Sequence, residues 1–204
     1  MKSFLINGCY DPQTLRTLLD LGIQHFGFDL RGFSPNLIAF HRLKDLLAQL
    51  PLQRSQLVFQ NDKPETVLSF LDMLRSTAGW TLQFRDQLTP EYYRRLNFPF
   101  VWMFHPDADW ENIFKIPTLE GVMLPVKWKN FYSTRPEVWA EIDQRQLDVY
   151  LHADSFEEAS CIEPQHDLKI SIDLSLEIEK GFRTVDQELL KKLKIWSFHE
   201  NLII

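Results

Sequence analysis

Glycine is scarce in this chain, with 7 residues in 204, about half of the roughly 7% that proteins use on average. Loops that cradle a phosphate or a dinucleotide need glycine where backbone amides must approach the anion closely, so few such loops can form. Cysteine is scarcer, with Cys9 and Cys161 as the whole complement. They form no metal-ligand spacing, and free thiols of this kind suit a reducing cytoplasm. Positive charge is also in deficit: the formal net charge is -6 and Lys and Arg gather into no stripe, which excludes a broad nucleic-acid surface. Apolar runs such as Phe98 to Phe104 fall far short of the roughly 20 residues that a membrane-spanning helix needs. Met1 to Asn7 has neither the basic flank nor the small-residue cleavage site of a secretory leader. These absences predict a cytoplasmic protein with no nucleic-acid and no membrane partner.

What is present is apolar and aromatic, at 45% and 13% of residues. That is enough for one well-buried core and short for two, so residues 1–204 are expected to form a single domain, without a disordered functional segment.

Short apolar runs alternate with helical patterns along the whole chain, which is the signature of βαβ units and a parallel sheet. Ser3 to Asn7 reads as a strand, followed by a helix from Asp11 to Leu21 with Leu15, Leu18 and Leu19 at helical spacing and Gly22 as its stop. His25 to Leu30 is a second strand, and the helix from about Leu37 to Leu50 places Leu43, Leu46 and Leu47 on one face. Gln56 to Gln60 is a third strand, before a helix opened by Pro64. Thr81 to Arg85 follows, with Thr89 and Pro90 as cap and first turn of a helix through Leu96. Phe98 to His105, Gly121 to Val126, Leu147 to Leu151 and Lys169 to Leu174 complete the strands. Between them lie a weak helix near Asp109 to Lys115, one from Pro136 to about Gln144, and a short one behind a Ser155 and Glu158 capping box. Thr184 with Gln187 predicts a last helix through about Ile195. Eight strand-helix pairs in this length predict a small (β/α)8 barrel of the triosephosphate-isomerase type. An open doubly wound sheet is the competitor, disfavoured because no early glycine-rich turn marks a dinucleotide site.

The segment from Gly27 to Asn36, Gly-Phe-Asp-Leu-Arg-Gly-Phe-Ser-Pro-Asn, resembles the second-strand region of phosphoribosylanthranilate isomerases, where Gly-Phe is followed after several residues by Ser-Pro-Arg. Further stretches agree in order. Ile6-Asn7-Gly8 stands where that family's first strand ends in Cys-Gly, and Val58-Phe59-Gln60-Asn61 resembles its Val-Phe-Val-Asn. Leu82-Gln83-Phe84-Arg85 with Pro90-Glu91-Tyr92 resembles its Gln-Leu-His-Gly and Pro-Glu-Tyr. Val122-Met123-Leu124-Pro125 stands where the sixth strand ends in Leu-Asp, and Asp173 to Gly181, with Glu177, resembles the eighth-strand Ser-Ser-Gly-Val-Glu segment.

The resemblance implies a barrel enzyme that opens and rearranges a phosphoribosyl amine, with a Cys after strand one as base and an Asp after strand six as acid. Such proton shuttling needs two groups that can change protonation. The matching positions here are Asn7 and Pro125, which offer no usable acid or base. The arginine that the resemblance places against a substrate carboxylate is Asn36, which loses a bidentate partner. The family's seventh- and eighth-strand glycines correspond to Ala153 with Asp154 and to Ser175. Barrel phosphate sites are built from those loops, so Asp154, Asp173 and Glu177 there would repel a phosphate.

In their place the strand ends carry Asn7, Asp29, Arg31, Gln83, Arg85, His105, Lys127, His152, Asp154, Asp173 and Glu177, which with Asn36 are the candidate ligand-binding residues. Ordinary loop polarity explains such a set equally well. His105, His152, Asp154 and Asp173 carry groups that metals accept, but no pair stands at a defining spacing, and no metal or other cofactor is expected. Cys9 and Lys127 lie two residues past their strand ends; as relocated base and acid they are weaker readings than a loop thiol and a solvated lysine. Trp102, Phe104, Trp110, Trp128, Phe131, Tyr132 and Trp139 crowd the fifth and sixth units, where packing is a commoner use than a pocket or interface.

Three functions remain open. The leading one is an isomerase-like barrel, related to tryptophan biosynthesis by resemblance, that has lost the activity and serves as a binding or regulatory pseudoenzyme. Its partner would be a small ligand not anchored by phosphate, a second copy in a homodimer, or another protein. The second is an enzyme with a different small-molecule substrate at the C-terminal barrel face. The third is a true isomerase with relocated groups, Cys9 as base and Lys127 or Asp154 as acid.

Overall fold

A computed structural model describes residues 3–48, 55–74, 79–126, 135–162, 168–174, 179–181, 184–186 and 188–189. Eight parallel strands close into a barrel in the order of the chain: β1 (Ser3–Asn7), β2 (His25–Asp29), β3 (Ser55–Phe59), β4 (Trp80–Phe84), β5 (Phe100–Met103), β6 (Leu119–Pro125), β7 (Asp148–Ala153) and β8 (Leu168–Asp173). Closure is made by β1 on β8, with Phe4 opposite Ile170 and Asn7 opposite Asp173. The intervening helices are α1 (Pro12–Asp20), α2 (Phe40–Leu47), α3 (Pro64–Met73), α4 (Pro90–Leu96), α5 (Trp110–Phe114), α6 (Pro136–Arg145) and α7 (Phe156–Ser160). A two-stranded antiparallel ribbon, β9 (Glu179–Gly181) with β10 (Thr184–Val185), follows the barrel. Among the described residues no helix is long and apolar enough to cross a membrane.

Strand alternation sorts the side chains into two layers. Phe4 and Ile6, Phe26 and Phe28, Leu57 and Phe59, Leu82 and Phe84, Ile170 and Ile172 face the helices and join one continuous apolar layer with them. Leu15 and Leu18 on α1 are fully buried in it, and burial of a leucine is worth roughly 1.5–3 kcal/mol. The opposite set points into the lumen, where Leu5, Val101, Met123 and Tyr150 form a smaller cluster of their own. Around it the lumen is lined by buried polar residues, Asn7, Gln56, Gln83 and Ser171, with the apolar Val58 among them.

Two glycines make the β1 end possible. A Cβ on Gly27 would lie 1.9 Å from Asn7 Oδ1, so β2 must be bare for the asparagine to lie across it. Gly8 turns the chain out of the barrel at φ +84°, a conformation that favours glycine.

Several ends differ from the sequence pattern. The helix predicted from Leu37 begins at Phe40, because Ile38 N–H donates instead to Asp29 O at 2.9 Å and ties that stretch to the end of β2. Thr89 occupies the N-cap position without a side-chain bond. The Ser155 box is half made: Ser155 Oγ accepts from Glu158 N–H at 3.1 Å, whereas Glu158 Oε2 accepts from Asp154 N–H at 2.7 Å. Thr184 does not start a helix; it pairs with Gly181 in the ribbon. The capping carboxylate is Asp186, which accepts from the amides of Glu188 (2.8 Å) and Leu189 (3.3 Å). Gln187 and Leu190 to Ile195 lie outside the described residues.

Candidate functional site

At the C-terminal mouth of the barrel, β2 ends in Asp29, which is almost completely buried. Its Oδ1 accepts from Arg31 N–H (3.0 Å) and Nε (2.9 Å), and its Oδ2 from Arg31 Nη2 (2.5 Å) and Ser34 Oγ (2.6 Å). A short-range aspartate turn of this kind folds the local loop and aims the arginine inward. Arg31 Nη2 then reaches Asp173 Oδ2 at 3.1 Å, and Arg85, just past β4, donates Nη2 to Asp173 Oδ1 at 2.7 Å. The charges alternate along this relay and cancel.

Beneath it lies a closed ring of hydrogen bonds. Arg85 Nη1 is 3.0 Å from His152 Nε2, His152 Nδ1 is 3.3 Å from Ser171 Oγ, and Asn7 Nδ2 donates to Ser171 Oγ at 2.9 Å. Hydrogen bonding orients the Gln83 amide with its oxygen toward Arg85, accepting from Nη2 (2.8 Å) and Nε (2.6 Å). Its nitrogen donates to Asn7 Oδ1 at 3.0 Å and to Gln56 Oε1 at 2.9 Å. From Gln56 the polar path continues through Tyr150 Oη (3.2 Å) to Asp148 Oδ2 (3.4 Å) at the start of β7.

These contacts set the protonation states. Burial, seconded by the Arg85 charge, pushes His152 down to about 4. Burial alone would raise Asp173, but Arg85, His152 and Arg31 outweigh it and hold the carboxyl well below the usual carboxylate range. Burial also opposes the Arg31 charge, and Asp29 and Asp173 more than reverse that.

Asp154, His152 and Ser171 stand in an order that suggests acid, base and nucleophile, yet the bonds run the wrong way. Arg85 occupies His152 Nε2, leaving Asp154 Oδ1 at 3.9 Å. The imidazole proton on Nδ1 therefore points at Ser171, so His152 cannot take the serine proton. Ser171 is fully buried and offers no surface to a substrate.

The structure thus gathers Asn7, Asp29, Arg31, Gln83, Arg85, His152 and Asp173 into one network. Asn36 stands beside it: Nδ2 donates to Leu174 O, its backbone N–H is 3.1 Å from Ser34 Oγ, and its side chain packs on Gly8. Asp154 is mostly exposed. His105 is half-buried, its Nε2 has no hydrogen-bond partner, and burial lowers its imidazole. Lys127 and Glu177 lie outside the described residues, as do Trp128, Phe131 and Tyr132. Trp102, Phe104 and Trp139 are buried in the apolar layer, and Trp110 packs against it. Cys9 is fully buried in the same layer, and burial raises its thiol. Among the described residues no group of three or more His, Cys, Asp or Glu is placed to hold a metal.

Sequence reasoning missed Ser34, Gln56 and Ser171. The signal was faint: Gln56 and Ser171 fall on inward strand positions, where burial demands a polar partner across the lumen.

No family model and no curated protein matches the chain in sequence. Solved structures match its shape. The phosphoribosylanthranilate isomerase from Thermococcus kodakaraensis has a TM-score of 0.68 at 11% identity, covering 97% of this chain and 99% of that one. The isomerase from Thermus thermophilus scores 0.64 at 20% identity, covering 96% and 98%. An HpcH/HpaI aldolase from Desulfitobacterium hafniense scores 0.60 at 13% identity, covering 86% and 88%. Identities this low bear on the fold alone. The chain has the (β/α)8 barrel fold of the phosphoribosylanthranilate isomerase structures, over nearly its whole length.

Proposed function

We propose that this protein is an isomerase-like barrel without phosphoribosylanthranilate isomerase activity, acting in the cytoplasm as a binding or regulatory protein. One observation carries the reading. Asn7, at the position that the resemblance assigns to the base, is fully buried with both side-chain heteroatoms bonded to Ser171 and Gln83. Pro125, at the position of the acid, has no titratable group. The self-neutralised relay of Asp29, Arg31, Asp173 and Arg85 supports the same reading, because each arginine is already paired and neither is left over to hold an anionic substrate. It also weighs against a new enzyme that would use these groups as acids and bases. Burial of Cys9 weighs against its service as a relocated base.

Two measurements test the proposal: turnover of phosphoribosylanthranilate by the purified chain, followed by loss of substrate fluorescence, and rescue of a tryptophan auxotroph lacking the isomerase. Neither is expected. Turnover above the spontaneous rate that survives repurification overturns the proposal.

A further inference from the structure

At the rim of the mouth a cleft of about 190 Å³ opens between the loops after β2 and β3, lined by Arg31, Phe33, Ser34, Pro35 and Gln60. Both walls are braced. On the β2 side, Ser34 N–H donates to Arg31 O at 3.0 Å and Leu37 N–H to Ser34 O at 3.2 Å, which closes the loop into turns. On the β3 side, Gln60 N–H donates to Asp62 Oδ2 at 3.2 Å, and Asn61 N–H donates to the Asp86 carboxylate.

Arg31 stands between the cleft and the relay. Its Nε and Nη2 are spent on Asp29 and Asp173, whereas Nη1 has no hydrogen-bond partner among the described residues. The side chain keeps 18% of its surface exposed. An arginine on an open surface gives up rotamer freedom when a ligand arrives, but this one is already fixed by charge-assisted bonds, so its free arm is a pre-organised donor. The exposed Gln60 side chain adds an amide donor and acceptor side by side. The fully exposed Phe33 ring and Pro35 offer apolar faces for a flat ligand to cover.

Charge and size decide the kind of ligand. In the relay two arginines are matched by two aspartates, so no net charge is left to repay the desolvation of an anion. The cleft is also smaller than the roughly 300–1,000 Å³ of pockets for drug-sized molecules, which limits it to about one ring. We infer that it binds a small, neutral, planar ligand with a carboxamide or cyclic-amide edge. The ligand carbonyl accepts from Arg31 Nη1, its amide edge pairs with Gln60, and its ring covers Phe33 and Pro35. The inference rests on the reading of the chain as a binding protein and names the class of its ligand.

Nicotinamide and uracil, each one ring with an amide edge, serve as probes of the full chain by saturation-transfer NMR. Saturable binding of at least one at millimolar affinity is expected, with nicotinate weaker than nicotinamide by roughly fivefold or more. Gln60→Ala and Phe33→Ala, both at exposed positions, should each weaken binding roughly fivefold, with folding checked by circular dichroism. Asp20→Asn, on the exposed side of α1, should leave it unchanged. Failure of both probes to bind, nicotinate as tight as nicotinamide, indifference to Gln60→Ala, or equal weakening in Asp20→Asn overturns the inference. A chain that neither binds the probes nor turns over phosphoribosylanthranilate sinks this inference alone, whereas turnover sinks the reading beneath it.

Discussion

The Arg85 guanidinium lies 3.0 Å from the His152 ring, Nη1 to Nε2. A cation that donates to a ring nitrogen denies that nitrogen a proton of its own, so His152 is neutral and its remaining proton sits on Nδ1, toward Ser171. One contact thereby turns a candidate base into a structural strut.

The pH dependence follows from that strut. His152 titrates near 4 in the folded chain against an ordinary 6.5. Between those values the unfolded chain binds a proton that the native chain refuses, so stability is full above about 6.5 and falls as pH drops toward 4. The loss from this group is on the order of 3 kcal/mol at its largest. Urea unfolding across this range should show a steeper acid-side fall of stability in the wild type than in His152→Gln, since Gln offers an acceptor that takes no proton. Asp86, whose carboxyl is raised by burial, contributes with the opposite sign, but both proteins share it and it drops out of the difference. Parallel profiles would show that His152 is not held neutral.

Steric reasoning at the β1–β2 contact gives a second expectation. Gly27→Ala places a methyl 1.9 Å from Asn7 Oδ1, and overpacking of this kind costs roughly 1–3 kcal/mol. Asn7→Ala alone takes one hydrogen bond from Ser171 and one from Gln83 in a buried network, for about 1–3 kcal/mol. The double variant should lose less than the sum, because removing the amide removes the clash. Strict additivity in chemical denaturation would place the two residues out of contact.

Charge balance at the mouth gives a third. Asp173→Asn leaves Arg85 and Arg31 undercompensated, at a cost of roughly 3 kcal/mol, the low end for a broken buried pair because Asp173 keeps some exposure. The variant should gain what the wild type lacks: inorganic phosphate should raise its melting temperature and leave the wild type unmoved. An equal rise in both proteins would refute the view that the relay is self-neutralised.

The barrel was legible in the sequence because its signals are local. Strand runs such as Phe26 to Asp29 and helix signals such as Asp11, whose carboxylate accepts from the Gln13 and Thr14 amides at 2.8 and 2.9 Å, act over a few residues. Where two local signals competed, the reading slipped. Thr184 reads as a cap, but the capping carboxylate is Asp186, and only the ribbon pairing takes Thr184 out of that role.

By itself, the sequence determined the order of the eight strands and of the seven helices between them, the identities of Asn7, Pro125 and Asn36, and the polar set at the strand ends. Those are matters of residue identity and of period, which neighbours along the chain fix. Tertiary structure alone decided what the polar set does. Asp29, Arg31, Asp173 and Arg85 come from three strand ends that only barrel closure brings together, and Asn7 meets Ser171 across 164 positions of chain. Whether charges stand free for a ligand or neutralise one another depends on distances of about 3 Å between such remote residues, and no local pattern encodes them.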